Sequence, residues 1–373
     1  MSAQMMSKPR IVISSTLQND LQLHRLDRFN RELKLMMISC EENAPYGPAK
    51  VTANMFLQLL SMSSKRLYSS LNKDDGQNRI KSISITVYHA QNEDYPLSEQ
   101  EWDSFDGIII PGSLSSAYAT HIPWIRRLHA VIREEIHNNQ RKTLAVCFGH
   151  QSFAHAFGDA DCKMNGSESV DSGRDGEAVK CPTGKKAGRK SFDLTSAGKC
   201  LLAHSVETSS GDSGDIQFKA PKTCVEMLYT HGDMVGTLPT IGLSLGGNRD
   251  VPIQSAAYFA SEDLALQFEQ YADSLQLKTS SSPSYRAVRA DVLSRYGSDS
   301  LPYALTFQAH PEFTAPDGFK VNFVNVLKAM ERLQHIDQST SKHAHEDALK
   351  NFETILTDSV DAMVSVGVIL GWF

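Results

Sequence analysis

Short apolar runs alternate with stripes at helical spacing through the first half of the chain. LKLMMISC (33–40) reads as a buried strand, and AKVTANMFLQLL (49–60) as an amphipathic helix that follows the turn-like PYGP. SISITVYHA (82–90) alternates as a strand does, and FDGIIIPGS (105–113) is a buried strand ending at a Pro-Gly turn. In WIRRLHAVIREEI (124–136), Trp124, Ile125, Leu128, Val131, Ile132 and Ile136 lie along one helical stripe. KTLAVCFG (142–149) predicts another buried strand, and QSFAHAF a helix stopped by Gly158 at the C′ position. Strand–helix alternation at this spacing predicts βαβ units, hence an α/β fold with a mostly parallel sheet flanked by helices.

Two stretches break the pattern. Residues 159–191 and 276–300 are rich in small and polar residues and read as surface insertions. GKKAGRKS (184–191) resembles a phosphate-binding loop only superficially, because its glycines are separated by three residues, not four. It is expected to be a solvated basic loop. Beyond residue 334, QSTSKHAHED reads as a linker, and Leu349, Phe352, Leu356, Val360 and Met363 then mark a C-terminal helix.

The composition, 41% apolar and 21% charged over 373 residues, is that of a globular protein with a sizeable core. A net charge of −6 gives no reason to expect nucleic acid or an anionic membrane as partner. Six scattered cysteines without a CxxC pair argue against a zinc site or a disulfide framework. The longest apolar stretch, AMVSVGVILGWF, falls short of the roughly 20 residues that cross a bilayer. The N-terminus lacks a long apolar signal core, so a cytosolic location is expected.

Chemistry concentrates at three places. Cys147 stands where a strand turns into a helix, between Ala145 and Gly149, small residues of the kind a strained nucleophile elbow requires. The helix dipole and unpaired amides behind it favour a thiolate. A buried core cysteine beside a turn is the plain alternative. In FQAHPEF (307–313), Pro311 biases His310 toward extended backbone, in which His310 and Glu312 project to the same side. An imidazole beside a carboxylate is the pair that activates a thiol. After the strand GIII, the turn PGSLSSAY (111–118) exposes backbone N–H groups. Those of Gly112 or Ser113, with that of Phe148, are candidates for holding an oxyanion.

In combination these segments resemble the class I glutamine amidotransferases. GIIIPGSLSSAYATHIPWIRRL looks like the family's strand, glycine turn and Trp-led helix, and AVCFGHQ like its elbow. YTHGDMVGTLP (229–239) is similar to its His-x-Asp-x-Val segment, and FQAHPEF to its His-Pro-Glu ending. The resemblance covers residues 33–332, and stand-alone glutaminases and γ-glutamyl peptidases match best. It implies a flavodoxin-like sheet, with an N-terminal extension over 1–32, the amidotransferase domain over 33–334, and a linker with an amphipathic helix over 335–373. It further implies Cys147 as nucleophile, His310 as base and acid, and Glu312 as orienting carboxylate. Gln151 would touch the substrate amide, and the backbone of Tyr229, Thr230 and His231 would meet the glutamyl moiety. His231 and Asp233 serve equally well as core or capping residues, and His150 as a satisfied histidine. The family usually has glycine where this chain has Ala145. No metal or organic cofactor is implied. The expected activity is hydrolysis of a small-molecule γ-glutamyl amide. The alternatives are a glutaminase subunit serving a separate synthetase in trans, and a non-catalytic member that binds a protein partner.

Overall fold

The computed structural model describes residues 10–16, 29–43, 45–69, 79–158, 176–203, 222–276 and 285–373. Its strands, in chain order, are β1 (Val12–Thr16), β2 (Phe29–Ser39), β3 (Arg79–His89), β4 (Gly107–Ile110), β5 (Thr143–Val146), β6 (Glu177–Lys180), β7 (Lys186–Leu194), β8 (Cys224–His231), β9 (Asp233–Thr237), β10 (Gly242–Gly247), β11 (Ser255–Tyr258) and β12 (Ala304–Phe307). Ten of these form one sheet in the order β1-β3-β2-β4-β5-β12-β11-β10-β7-β8, and β6 pairs with β9 separately.

Strands β3, β2, β4, β5 and β12 run parallel. Taken in chain order, they are arranged 2-1-3-4-5, which is the flavodoxin-like order. Antiparallel strands extend this core on both sides, β1 at one edge and β11, β10, β7 and β8 at the other.

The core strands are apolar on both faces because helices cover both. Leu35, Met37, Ile85, Val87, Ile109, Leu144 and Val146 join one buried cluster. Met36, Ile38, Tyr88, Ile108, Ile110 and Ala145 join the other. Helices Ala49–Ser69 and Phe352–Ile369 lie on the first face, and Pro123–Val131 and Phe148–His155 on the second.

Four expectations need correcting. The end of the stretch 159–191 is not a loop: it forms β6 and the greater part of β7, and β7 belongs to the main sheet. Only Phe192 and Leu194 in β7 are buried apolar side chains, so alternation is faint there. Within 276–300, helix Tyr285–Tyr296 buries Val288 and Val292, four residues apart. The remaining parts, 159–175 and 277–284, lie outside the described residues. The linker expected after residue 334 is helix Gln338–Lys350, capped by the Asp337 side chain accepting from Thr340 N–H. Ser341, Ala344 and Ala348 form its buried face, and these small residues leave no apolar stripe to read. Gly158 does not cap its helix in a left-handed conformation; it allows the chain to approach the Gly176 carbonyl closely.

The C-terminal helix is buried almost throughout, so amphipathicity is not what holds it. Its buried Asp361 meets Arg66 at 3.0 Å and Lys222 at 3.0 Å, and Asp358 meets Lys222 at 2.7 Å. No helix among the described residues is long and apolar enough to cross a membrane. Beyond it, the fully buried Trp372 covers Gly107 at the start of β4, where any Cβ would overlap the indole. Trp372→Ala should therefore cost about 3–5 kcal/mol in urea unfolding, by loss of packing and a residual cavity. A change under about 1 kcal/mol would show that the C-terminus is not part of the core.

Candidate functional site

The parallel strands end together, and the site assembles on their carboxyl ends. Cys147 follows β5 directly and has φ 52° and ψ −106°, a conformation unfavourable for a residue with a Cβ. Two features hold it there. Its N–H donates to the Phe307 carbonyl at 2.7 Å, extending the β5–β12 ladder. Gly149 packs on the Ile110 carbonyl so closely that a Cβ would overlap it. Ala145 faces the opposite cluster, where its methyl is accommodated.

His310 lies just beyond β12, with its N–H on the Leu228 carbonyl at 2.8 Å. Its Nδ1 meets Glu312 Oε1 at 2.8 Å. Phe313 stacks on the imidazole, with centroids 4.4 Å apart and planes 8° apart. The pairing arises differently from the extended geometry expected: Pro311–Thr314 is a 3-10 turn, and Pro311 starts it. The turn brings the carboxylate back onto the ring two residues before it.

Gly112 packs against both groups. A Cβ there would lie 2.8 Å from His310 Cε1 and 3.5 Å from Cys147 Cβ. The structure thus brings Cys147, His310, Glu312 and Gly112 to one point. His310 Nε2 and Glu312 Oε2 have no hydrogen-bond partner among the described residues. Burial opposes the imidazolium, but Cys147 and Glu312 beside the ring outweigh it and raise the His310 pKa to about 10.

This has a consequence for stability. Between about 6.5 and about 10 the folded chain holds a proton on His310 that the unfolded chain has released. The contribution is full below pH 6.5 and is lost as pH rises through about 10, at up to about 1.4 kcal/mol per pH unit. Urea midpoints measured across that range should fall more steeply for the native protein than for His310→Gln, which has no imidazole to release a proton. Parallel curves would refute the raised His310 pKa.

The N–H groups of Gly112, Ser113 and Phe148 donate to no protein acceptor among the described residues. Gln151 is buried, and its Nε2 donates to the Asp233 carbonyl at 2.8 Å and Gln308 Oε1 at 3.1 Å. Tyr229, Thr230 and His231 end β8, each paired with β7 on one side. The hydroxyls of Tyr229 and Thr230 and Nε2 of His231 are buried without partners among the described residues. Nδ1 of His231 lies 2.8 Å from the Asp233 carbonyl, and burial lowers its pKa to about 3, so the ring is neutral. The Asp233 carboxylate accepts from Ser116 Oγ at 2.5 Å and Tyr118 Oη at 3.0 Å, which ties the 111–118 turn to β9. His150 is a satisfied core histidine, 2.7 Å from Thr306 Oγ1 and 3.3 Å from the Ile253 carbonyl.

Three neighbours escaped the sequence reading. Tyr46 is buried, 6.0 Å from the His310 ring. Gln308, which meets Gln151, stands two positions before His310, and that period-two offset could have pointed to it. Glu41 is buried beneath the 111–118 turn. No cluster of three metal-ligating side chains occurs among the described residues. Cys147 is only 4% exposed. A cleft of about 610 Å³ lies elsewhere, between the Glu262–Gln276 helix and the β9–β10 connection.

Comparison with known proteins gives a family match over part of the chain. Residues 76–247 match the family described as glutamine amidotransferase class-I, a span that includes Cys147 but ends before His310. A protein of Saccharomyces cerevisiae named "Putative glutamine amidotransferase" is 28% identical over 145 residues, covering 38% of this chain and 51% of that protein. The chain therefore spans about half the length of the curated relative it matches. A solved glutamine amidotransferase from Thermotoga maritima shares 12% identity over 90% of this chain and 99% of that one, with a TM-score of 0.49. The glutaminase domain of Trypanosoma brucei CTPS shares 10% over 79% and 93%, with a TM-score of 0.38. On the family match, residues 76–247 of this chain are similar to the class-I glutamine amidotransferases.

Proposed function

We propose that the chain hydrolyses a γ-glutamyl amide, glutamine or a γ-glutamyl peptide, through a thioester on Cys147. The observation that carries this reading is the strained Cys147 packed beside a His310 whose Nδ1 is held by Glu312. With Nδ1 so occupied, Nε2 is the nitrogen left for the sulfur and the leaving group.

In this reaction the thiolate attacks the γ-carbonyl carbon and forms the C–S bond. The backbone N–H groups of Gly112 or Ser113 and of Phe148 stabilise the oxyanion, each by about 3 kcal/mol. Collapse breaks the C–N bond, and the imidazolium gives its proton to the departing amine. Water then attacks the thioester with neutral His310 as base, which breaks the C–S bond, releases the γ-carboxylate and frees Cys147 for the next cycle. Glu312 orients the ring and does not react. Gln151, with the Tyr229–His231 segment and its unpartnered polar atoms, supplies the glutamyl contacts.

A second reading, a glutaminase subunit that passes ammonia to a separate synthetase, draws support from the burial of Cys147, since docking of a partner could open the site. Purified protein given glutamine and γ-glutamyl dipeptides separates the two. Turnover by the chain alone supports the first. Modification of Cys147 by a glutamine-like chloroketone without sustained turnover supports the second. Burial pushes the Cys200 thiol up to about 12 and raises Cys40 too, so Cys147 should react ahead of them. No turnover and no preference for Cys147 would remove both and leave a non-catalytic, partner-binding role.

A further inference from the structure

We propose that Glu41 is a positioning residue that holds the oxyanion-binding turn in register with Cys147. This rests on the hydrolytic reading above. Glu41 follows β2, and the turn 111–118 follows β4, the parallel neighbour of β2. The carboxylate is 6% exposed and is saturated by donors from both connections. Oε1 accepts from Glu42 N–H and Asn43 N–H at 3.0 Å each and from Asn43 Nδ2 at 3.1 Å. Oε2 accepts from Leu114 N–H at 3.1 Å and Ser113 Oγ at 3.4 Å. Ser113 Oγ in turn accepts from Ser115 N–H at 3.1 Å.

Two consequences follow from that donor set. Every group facing the carboxylate donates, so only an anion with acceptors on both oxygens fits; a glutamine amide would turn an N–H₂ toward one set of donors. The hydrogen bonds also engage Leu114 and Ser115 N–H while leaving the N–H groups of Gly112 and Ser113 without protein acceptors. The turn therefore keeps those two donors unengaged, and Gly112, packed against His310 and Cys147, has little room to shift. The same carboxylate anchors the start of the segment that carries Tyr46 over the site. Positioning of this kind acts on the transition state and not on substrate affinity.

The test compares the full chain with Glu41→Gln and Glu41→Asp. Glu41→Gln should lower kcat on the best γ-glutamyl substrate by roughly 10- to 100-fold, with KM changed by less than about threefold. Alkylation of Cys147 by iodoacetamide, which builds no oxyanion, should keep its rate and pH profile. Glu41→Asp keeps the charge and should recover part of the loss. Unchanged kcat in Glu41→Gln would overturn the proposal. So would equal losses in kcat, iodoacetamide reactivity and thermal midpoint, which would mark a merely structural role. If the native protein hydrolyses no γ-glutamyl substrate, the hydrolytic reading fails instead. The clamp is then read from amide exchange at Leu114, slow in the native chain and fast in Glu41→Gln at equal global stability. Unchanged exchange would refute the clamp itself.

Discussion

Replacing Cys147 by alanine is expected to abolish γ-glutamyl turnover, by roughly 10⁴-fold or more, while leaving the protein folded. The size of the effect follows from the chemistry: without sulfur no thioester forms, and His310 and the free N–H groups of the 111–118 turn have nothing to activate. Folding survives because alanine keeps the Cβ and loses one buried atom. The backbone offers a separate check. At φ 52° and ψ −106° any residue with a Cβ is strained, whereas glycine is not. Cys147→Gly should therefore be equally inactive yet more stable than Cys147→Ala by about 1 kcal/mol in urea unfolding. Residual turnover in either variant would end the case for the thioester, and a less stable glycine variant would end the case for strain.

The second large effect is expected at Gly149. In an ordinary helix, alanine would be the better residue by about 1 kcal/mol. Here its Cβ would meet the Ile110 carbonyl, which belongs to β4 and cannot retreat easily because β4 is paired with β2 and β5 on its two sides. Overpacking of this kind costs typically about 1–3 kcal/mol, so Gly149→Ala should lower the unfolding free energy by about 2 kcal/mol. The same displacement pushes on Ile110, two residues before Gly112, so kcat should also fall, by up to about 100-fold. Gly184→Ala is the control: Gly184 has φ 79° and open space around it. It should show only conformational strain, of about 1 kcal/mol, and full activity. Equal stability and full activity in Gly149→Ala would refute the steric account of the elbow.

Much of this site is legible along the chain, and the reason is local. Cys147 interrupts an apolar run between small residues, and the following helix begins at the next position, so both constraints are visible within a few residues. The His310–Glu312 contact spans two residues and needs only the turn that Pro311 starts. Three of the parallel strands, β2, β4 and β5, are legible for a different reason: burial on both faces makes them nearly continuous apolar runs, whereas β3 alternates. β7 obeys neither rule. β7 buries little apolar surface, and part of its packing is the contact of Gly188 with Ala344, where the chain uses small residues. The helix that carries Ala344 consequently reads as a linker.

By itself, then, the amino-acid sequence determined the parallel α/β core, the turn at Cys147 and the His310–Glu312 pair, because each depends on periodicity or on neighbours a few positions apart. Tertiary structure alone decided which residues converge on them. Glu41 reaches Leu114 across 73 positions, and Gln151 reaches Gln308 across 157. Tyr46 is set over His310 by the packing of separate loops. Such contacts leave no periodic trace, since a hydrogen bond or ring contact between distant segments constrains only the two residues that meet.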